Sequence, residues 1–115
     1  MKEYKDIQIF PLKSIILPGG QFPLRIFERR YLDMTRDCLK ENNGFIIALT
    51  KRDSNYISSV YDYASYVEIV DWSQLDGGLL GITVEGKQIV KLSNCNLDEC
   101  NLLKGDAEEL SLIHI

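Results

Sequence analysis

The positions of the prolines most constrain how this chain can fold. All three prolines among its 115 residues, Pro11, Pro18 and Pro23, fall within residues 10–39. Proline cannot donate a hydrogen bond to a sheet ladder, so each one marks a strand end, a strand start, a bulge or a sheet edge. Residues 10–39 are therefore predicted to contain short apolar runs separated by rigid turns, followed by one helix.

A tight turn is predicted where Pro18, Gly19 and Gly20 follow one of these apolar runs. Proline presets φ for the start of the turn, and a following glycine can adopt a positive φ. Residues 22–27 then alternate, which predicts a strand with Phe22 on its apolar face.

One amphipathic helix is predicted over residues 29–42. Glu28 precedes its first turn, where a carboxylate can accept from free amides and suits the helix dipole. Arg25 and Arg30 flank Glu28 and are candidates to pair with it. Gly44 is expected to take the left-handed position past the last turn. The apolar stripe of the helix recurs at three- and four-residue spacing and comprises Tyr31, Leu32, Met34, Cys38 and Leu39.

The rest of the chain has the pattern of short strands. The run at residues 45–49 is continuously apolar, which is typical of a strand buried on both faces. A turn is expected at residues 76–78, a tight hairpin turn at Gly86 and Lys87, and a polar loop at residues 51–59. Residues 94–101 are expected to be a connection. The further predicted strands cover residues 6–10, 61–72, 79–85, 88–92 and 102–110.

Composition and charge limit the class of protein. The chain has 13 Lys and Arg against 17 Asp and Glu, a net charge of −4, which argues against nucleic acid as a partner because phosphate contacts need clustered cations. Residues 1–6 are polar rather than signal-like, and no apolar run is long enough to span a membrane. Three irregularly spaced cysteines fit a reducing compartment. A single cytoplasmic domain over residues 1–115 is therefore expected.

No constellation of residues predicts catalysis, a cofactor or a metal. Residues 81–88 come near the phosphate-loop spacing, but Gln88 lacks the hydroxyl that magnesium needs, and the intervening residues favour a strand. His114 is the single histidine and stands one residue from the end of the sequence, a poor place for a general base. The possible metal ligands, which lack the tight spacing of zinc sites, are Cys38, Cys95, Cys100 and His114.

A family resemblance is carried by the pattern FPL…LPG…PL-x-IFE-x-RY-x-x-M…CL, which is dense over residues 7–50 and looser over residues 64–92. This pattern resembles the N-terminal substrate-binding domain of Lon proteases, which also occurs in stand-alone bacterial proteins and in cereblon. Arg29 departs from the family, which usually has proline there, and Ala64-Ser65 and Ile89-Val90 depart in the second half. The residues that carry the structural motif are Pro18, Gly19, Gly20, Glu28, Arg30 and Tyr31.

The resemblance implies a mainly β (α+β) fold, a PUA-like pseudobarrel of six to seven short strands with one main helix. It implies a non-enzymatic module, because the protease and ATPase parts of Lon lie in other domains. Family members usually carry a helical part after the barrel. The apolar residues 110–115 show no helical pattern, so this part is expected to be missing. Barrel surface that it would cover then stays open, which predicts either self-association through that surface or a disordered terminus.

The expected function is recognition of unfolded or degron-like polypeptide segments, with a protease or chaperone as a further partner. Aromatic side chains are the best candidates for the apolar contact surface, although such residues are more often core. Two alternatives remain open: a small-ligand-binding barrel, indicated by a deep pocket with convergent polar groups, and an RNA-binding barrel. The candidate polypeptide-binding residues are Phe22, Pro23, Tyr66, Trp72, Tyr61 and Tyr63.

Overall fold

Six strands and one α-helix make up the part of the chain that the computed structural model describes, residues 2–51 and 60–110. The loop expected at residues 51–59, apart from Lys51, lies outside the described residues, as do His114 and the apolar end at residues 111–115. The elements are β1 (Glu3–Leu12), β2 (Gln21–Ile26), α1 (Arg29–Glu41), β3 (Phe45–Thr50), β4 (Val60–Gln74), a single 3₁₀ turn (Asp76–Gly78), β5 (Leu80–Leu97) and β6 (Leu103–Glu109).

Five of the strands close into a ring. The sheet order is β2-β5-β4-β3-β1-β6, and β6 pairs again with β5, so β5, β4, β3, β1 and β6 form a closed barrel. β2 adds to the first half of β5, outside the ring. The β1–β3 pair is parallel and all other pairs are antiparallel. The predicted mainly β pseudobarrel with one helix is confirmed.

β3 separates two hydrophobic cores. Phe45 and Ile47 point to the side covered by α1 and β2, and Ile46 and Ala48 point into the barrel. All four are at most 2% exposed, because strand side chains alternate between two faces that are both covered. The prediction that the continuous apolar run forms a strand buried on both faces is confirmed.

α1 covers the outside of the barrel with its apolar stripe. Tyr31, Met34 and Cys38 are buried in the helix-side core, and the Tyr31 ring lies 4.5 Å from the ring centroid of Phe10. Burial raises the pKa of the Cys38 thiol to about 12, so this cysteine is an inert core residue at neutral pH. The predicted helix is confirmed within one residue at its end.

The residue that ends the helix in the left-handed conformation differs from the prediction. Asn42, not Gly44, takes the left-handed conformation, with φ 54° and ψ 46°. Gly44 is needed for another reason: a Cβ there would clash with the carbonyl oxygen of Val67 on β4. Close approach of β3 to β4, rather than positive φ, therefore explains the glycine.

Glu28 does not cap the helix with its side chain, so the expected capping role is wrong. Its carboxylate pairs instead with Arg30, with a distance of 2.6 Å between Nη2 and Oε2, and only its backbone carbonyl accepts from the first helical amides. Arg30 also donates to the carbonyl of Asn101 at 2.8 Å. The pair thus ties the start of α1 to the turn before β6. The structure records no ion pair of Arg25 among the residues it describes.

The hairpin turn expected at Gly86 and Lys87 is wrong, because β5 continues through both residues to Leu97. The ladder to β4 slips by one residue there, which leaves Lys87 as a bulge. Gly86 allows another segment to approach: its carbonyl accepts from Gly19 and its amide donates to Gly20, both at 2.8 Å. Residues 94–97 likewise extend β5 and are not a connection.

Candidate functional site

An open, largely apolar cavity of about 360 Å³ lies on the outer face of the barrel. It spans three neighbouring strands, β3, β4 and β5, and the segment between β1 and β2. We call it the apolar groove. Its lining residues are Ser14, Ile15, Ile47, Leu49, Tyr61, Tyr63, Ala64, Ser65 and Ile89.

The floor of the groove follows from strand alternation. Ser65 pairs with Ile47 on β3 and with Ile89 on β5, so these three side chains lie in one row on the same face. Tyr63 and Tyr61 precede Ser65 at two-residue spacing, and their side chains are 59% and 45% exposed. Two tyrosines therefore stand over an aliphatic floor without being packed into either core.

One wall of the groove is the segment between β1 and β2. Ile16 is buried in the helix-side core, which leaves its neighbour Ile15 64% exposed toward the groove. The hydroxyl of Ser65 donates to the carbonyl of Ile16 and fixes the segment onto β4. Leu17 is also exposed, at 65%.

The predicted tight turn at residues 18–20 holds this wall. The amide of Gly20 donates to the carbonyl of Leu17 at 2.9 Å, and Gly19 has φ 85°, as the third residue of a type II turn requires. A Cβ on Gly86 would clash with the carbonyl of Leu17. The turn can therefore pack closely against β5 only because residue 86 is a glycine.

A second exposed apolar surface lies on the far end of β4. From Glu68 to Gln74 this strand pairs with β5 alone, and with β2 it forms a three-stranded extension that we call the β-arm (residues 21–26, 68–74 and 80–85). A bulge after Ile69 turns Trp72 to the same face as Ile82, yet Trp72 remains 51% exposed at the edge.

Tyr66 is buried, with 7% of its surface exposed. Its ring stacks on Tyr4 with a centroid distance of 4.5 Å, and its hydroxyl accepts from the amide of Gly44 at 3.0 Å. Strict alternation would place Tyr66 and Trp72 on one face of β4. The bulge after Ile69 shifts the alternation by one residue, so the two side chains lie on opposite faces. Tyr66 offers no side-chain surface comparable to that of the groove tyrosines.

The predicted site residues thus fall into separate places. Tyr61 and Tyr63 meet in the groove; Phe22 is half-buried on the inner face of the β-arm, and Pro23 is exposed on the opposite face of β2. Sequence reasoning missed the aliphatic members of the groove. Ile15 could have been found from the sequence, because it belongs to an apolar run next to a proline–glycine turn. No local sequence pattern indicated that aliphatic residues of three different strands would lie beside it.

A polar cavity of about 470 Å³ lies between β1 and the end of α1 and is lined in part by Tyr4 and Tyr66. Burial, then the nearby Tyr66 phenol and two carboxylates, raise the pKa of Tyr4 to about 12. The described residues contain no group of three or more His, Cys, Asp or Glu side chains placed to hold a metal ion. The acidic residues of this cavity are Glu3, Asp6, Asp37 and Glu41.

The groove is suited to non-covalent contact. None of its described lining residues is a Cys, His, Asp or Glu. Cys95 and Cys100 are exposed free thiols elsewhere on the surface. Among the described residues, no helix has the length and apolar character needed to cross a membrane.

Comparisons with known proteins agree with this architecture. A family model for the ATP-dependent protease La (LON) substrate-binding domain matches residues 6–111. A crystal structure of a Lon N-terminal domain protein from Xanthomonas campestris superposes with a TM-score of 0.81 at 27% identity, covering 96% of this chain and 61% of that one. A search of curated proteins gave no match.

The N-terminal domain of the Mycobacterium avium complex Lon protease superposes with a TM-score of 0.72, covering 96% of this chain and 57% of that one. Its identity of 15% supports the shared fold alone. The chain therefore spans about three-fifths of the length of these two solved relatives. Because the family model covers nearly all of the sequence, the chain belongs to the family of the ATP-dependent protease La (LON) substrate-binding domain.

Proposed function

We propose that this chain is a non-catalytic module that binds apolar segments of unfolded or degron-bearing polypeptides in the apolar groove. The observation that carries the proposal is the groove itself, where Tyr61, Tyr63 and Ile15 stay exposed over an aliphatic floor. Exposed apolar surface of this kind is typical of interaction sites. Membership of a substrate-binding family supports polypeptide as the ligand.

The chemistry of the groove supports polypeptide over a small polar ligand. Few polar groups converge in it, whereas small-molecule sites usually carry several that fix orientation. Two tyrosines supply large contact area with little side-chain freedom to lose, which suits binding of varied apolar segments. Ordering a flexible chain costs part of the contact energy, so we expect dissociation constants in roughly the micromolar range.

The proposal is tested with a dye-labelled, unfolded peptide containing a central apolar segment, titrated with the purified chain and followed by fluorescence anisotropy. We expect Tyr63→Ala to weaken binding about tenfold, as for an aromatic anchor, while the domain stays folded. Trp72→Ala is the matched control, because it removes an equally exposed aromatic from the β-arm. A folded polypeptide of similar composition should not bind.

Two results would contradict the proposal in different ways. Loss of binding in Trp72→Ala but not in Tyr63→Ala would place the site on the β-arm. Absence of binding by any unfolded peptide to the folded chain would reject polypeptide recognition by this chain. The non-catalytic role also requires that the purified chain turn over neither ATP nor peptide bonds.

A further inference from the structure

Three lysines border the apolar groove. Lys91 follows Ile89 by two positions on β5 and pairs in register with Tyr63, so both side chains lie on the outer face of the barrel. Lys51 directly follows the last residue of β3, two positions after Leu49 of the groove lining. Lys13 directly precedes the groove wall at Ser14. All three lysines are exposed.

Within residues 2–51 and 60–110, the groove lining contains no carboxylate that could balance the charges of these lysines. Among the described residues, Lys13, Lys51 and Lys91 make no ion pair within 4.0 Å, whereas other cations such as Lys87 and Lys104 do. Glu108 lies beside Lys91 in the β5–β6 register but forms no such pair with it.

This local charge is opposite to the net charge of −4 for the whole chain. A net negative charge favours positively charged ligands. The three lysines give the surroundings of the groove the opposite preference, for negatively charged ligands. Exposed charges act on each other over about one Debye length, roughly 10 Å at 0.1 M salt. Rim lysines can therefore act on residues of a ligand just outside the groove.

We propose that the polypeptide segments bound by the groove are apolar stretches flanked by acidic residues. The inference rests on the proposed function, since it names the class of polypeptide that the same groove selects. The apolar stretch contacts the tyrosines and the aliphatic floor, and flanking Asp or Glu side chains lie against the lysine rim. Rim charges add selectivity and association rate more than affinity.

Single-stranded RNA is the competing occupant for a surface with tyrosines and lysines, because bases stack on aromatic side chains. The aliphatic residues of the groove, Ile15, Leu49 and Ile89, have no counterpart in that mode of binding. Three separated lysines in an acidic chain also fall short of a continuous basic track.

The experiment compares three peptides with one central apolar segment and flanks of Asp, Ser or Lys, each titrated with the full chain at low and at high salt. We expect the Asp-flanked peptide to bind more tightly than the Ser-flanked one at low salt, and the Lys-flanked peptide to bind least. High salt should bring the three affinities together. An RNA oligomer is included as a competitor.

Lysine variants locate the effect. Lys91→Gln should weaken binding of the Asp-flanked peptide about two- to fivefold, the size expected for an exposed charge pair, and leave the Ser-flanked peptide unchanged. Lys40→Gln is the matched control, since it removes the same charge from the exposed side of α1.

The outcomes separate this inference from the proposed function. Equal binding of Asp- and Ser-flanked peptides would overturn the flank preference and leave polypeptide recognition intact. Binding by none of the peptides would overturn both. Displacement of the peptide by RNA, with a loss of RNA binding in Lys91→Gln, would assign the rim to nucleic acid and overturn the inference.

Discussion

The two ends of β4 both expose aromatic side chains, but only one end forms a concave surface. At the start of the strand, Tyr61 and Tyr63 line a cavity together with residues of β3, of β5 and of the segment that contains Ile15. At the far end, Trp72 stands at an edge where β4 pairs with β5 alone. An exposed aromatic side chain therefore does not by itself make a binding site. Residues of neighbouring strands and of a covering segment also have to surround the aromatic side chain.

The middle of the same strand shows the third possibility for an aromatic side chain. Tyr66 lies between these ends, and its ring is enclosed by the Tyr4 stack and the close approach of Gly44. One strand thus carries aromatics in a groove, in the interior and at an open edge. The predictions below separate these roles by stability and by binding.

The largest expected effect on stability is at Tyr66. Tyr66→Ala removes a buried ring and leaves the amide of Gly44 without its acceptor, so we expect a loss of about 3 kcal/mol or more in the free energy of unfolding. Tyr63→Ala at the exposed end should change it by less than about 0.5 kcal/mol. Chemical denaturation of both variants measures the difference. Equal losses would show that the groove tyrosines are structural.

A smaller effect is expected at two glycine turns, one beside the groove wall and one at the tip of the β-arm. Gly19 and Gly77 have φ 85° and 77°, and a Cβ on either would meet open space. Valine at either position should therefore cost about 1–3 kcal/mol through backbone strain alone. Gly19→Val should also weaken peptide binding, because its turn holds the groove wall, whereas Gly77→Val at the tip of the β-arm should not.

Thermal unfolding and peptide titration of these two variants form the test. An unchanged melting temperature for Gly19→Val would show that the turn does not need the freedom of glycine. Equal loss of peptide affinity in both variants would mean that the β-arm and the groove act together.

The smallest expected effect is a loss of folding stability at alkaline pH, caused by Tyr4, which stacks on the buried Tyr66. The pKa of Tyr4 is raised from 10.0 to about 12, so the folded state holds its phenol proton where the unfolded state has lost it. Stability should therefore fall as pH rises from 10 to 12, with Tyr4 contributing about 1 kcal/mol. In Tyr4→Phe this part of the fall should be missing. Urea midpoints at pH 9 and pH 11.5 would show it, and an identical fall in the variant would contradict it.

The sequence predicted the secondary structure correctly where the spacing of apolar residues alone determines it. The apolar stripe of α1, the alternation of β2 and the double burial of β3 each follow from the spacing of apolar residues. Prediction failed at Gly44 and Gly86. Both were interpreted as turn residues, yet each is a glycine because another part of the backbone lies too close for a side chain.

The candidate site was predictable only in part for the same reason. Tyr61 and Tyr63 were named from their residue type and alternation, but the aliphatic floor comes from strands β3 and β5, and the wall from residues 14–15. The bulge after Ile69, which has no local signature here, decided that Trp72 lies on the face opposite to Tyr66. The end of the β3–β4 pairing at Val67 decided that Trp72 stands at an edge.

The sequence by itself determined the tight turn at Pro18 and Gly19, the amphipathic helix, the mainly β character and the family resemblance. These depend on backbone dihedral preferences and on periodicity, which act over a few residues. Only the tertiary structure decided that β5 runs unbroken past Gly86, that the ring closes between β5 and β6, and which aromatics remain exposed. Those outcomes depend on pairing between distant strands, where register and bulges set the direction of every side chain.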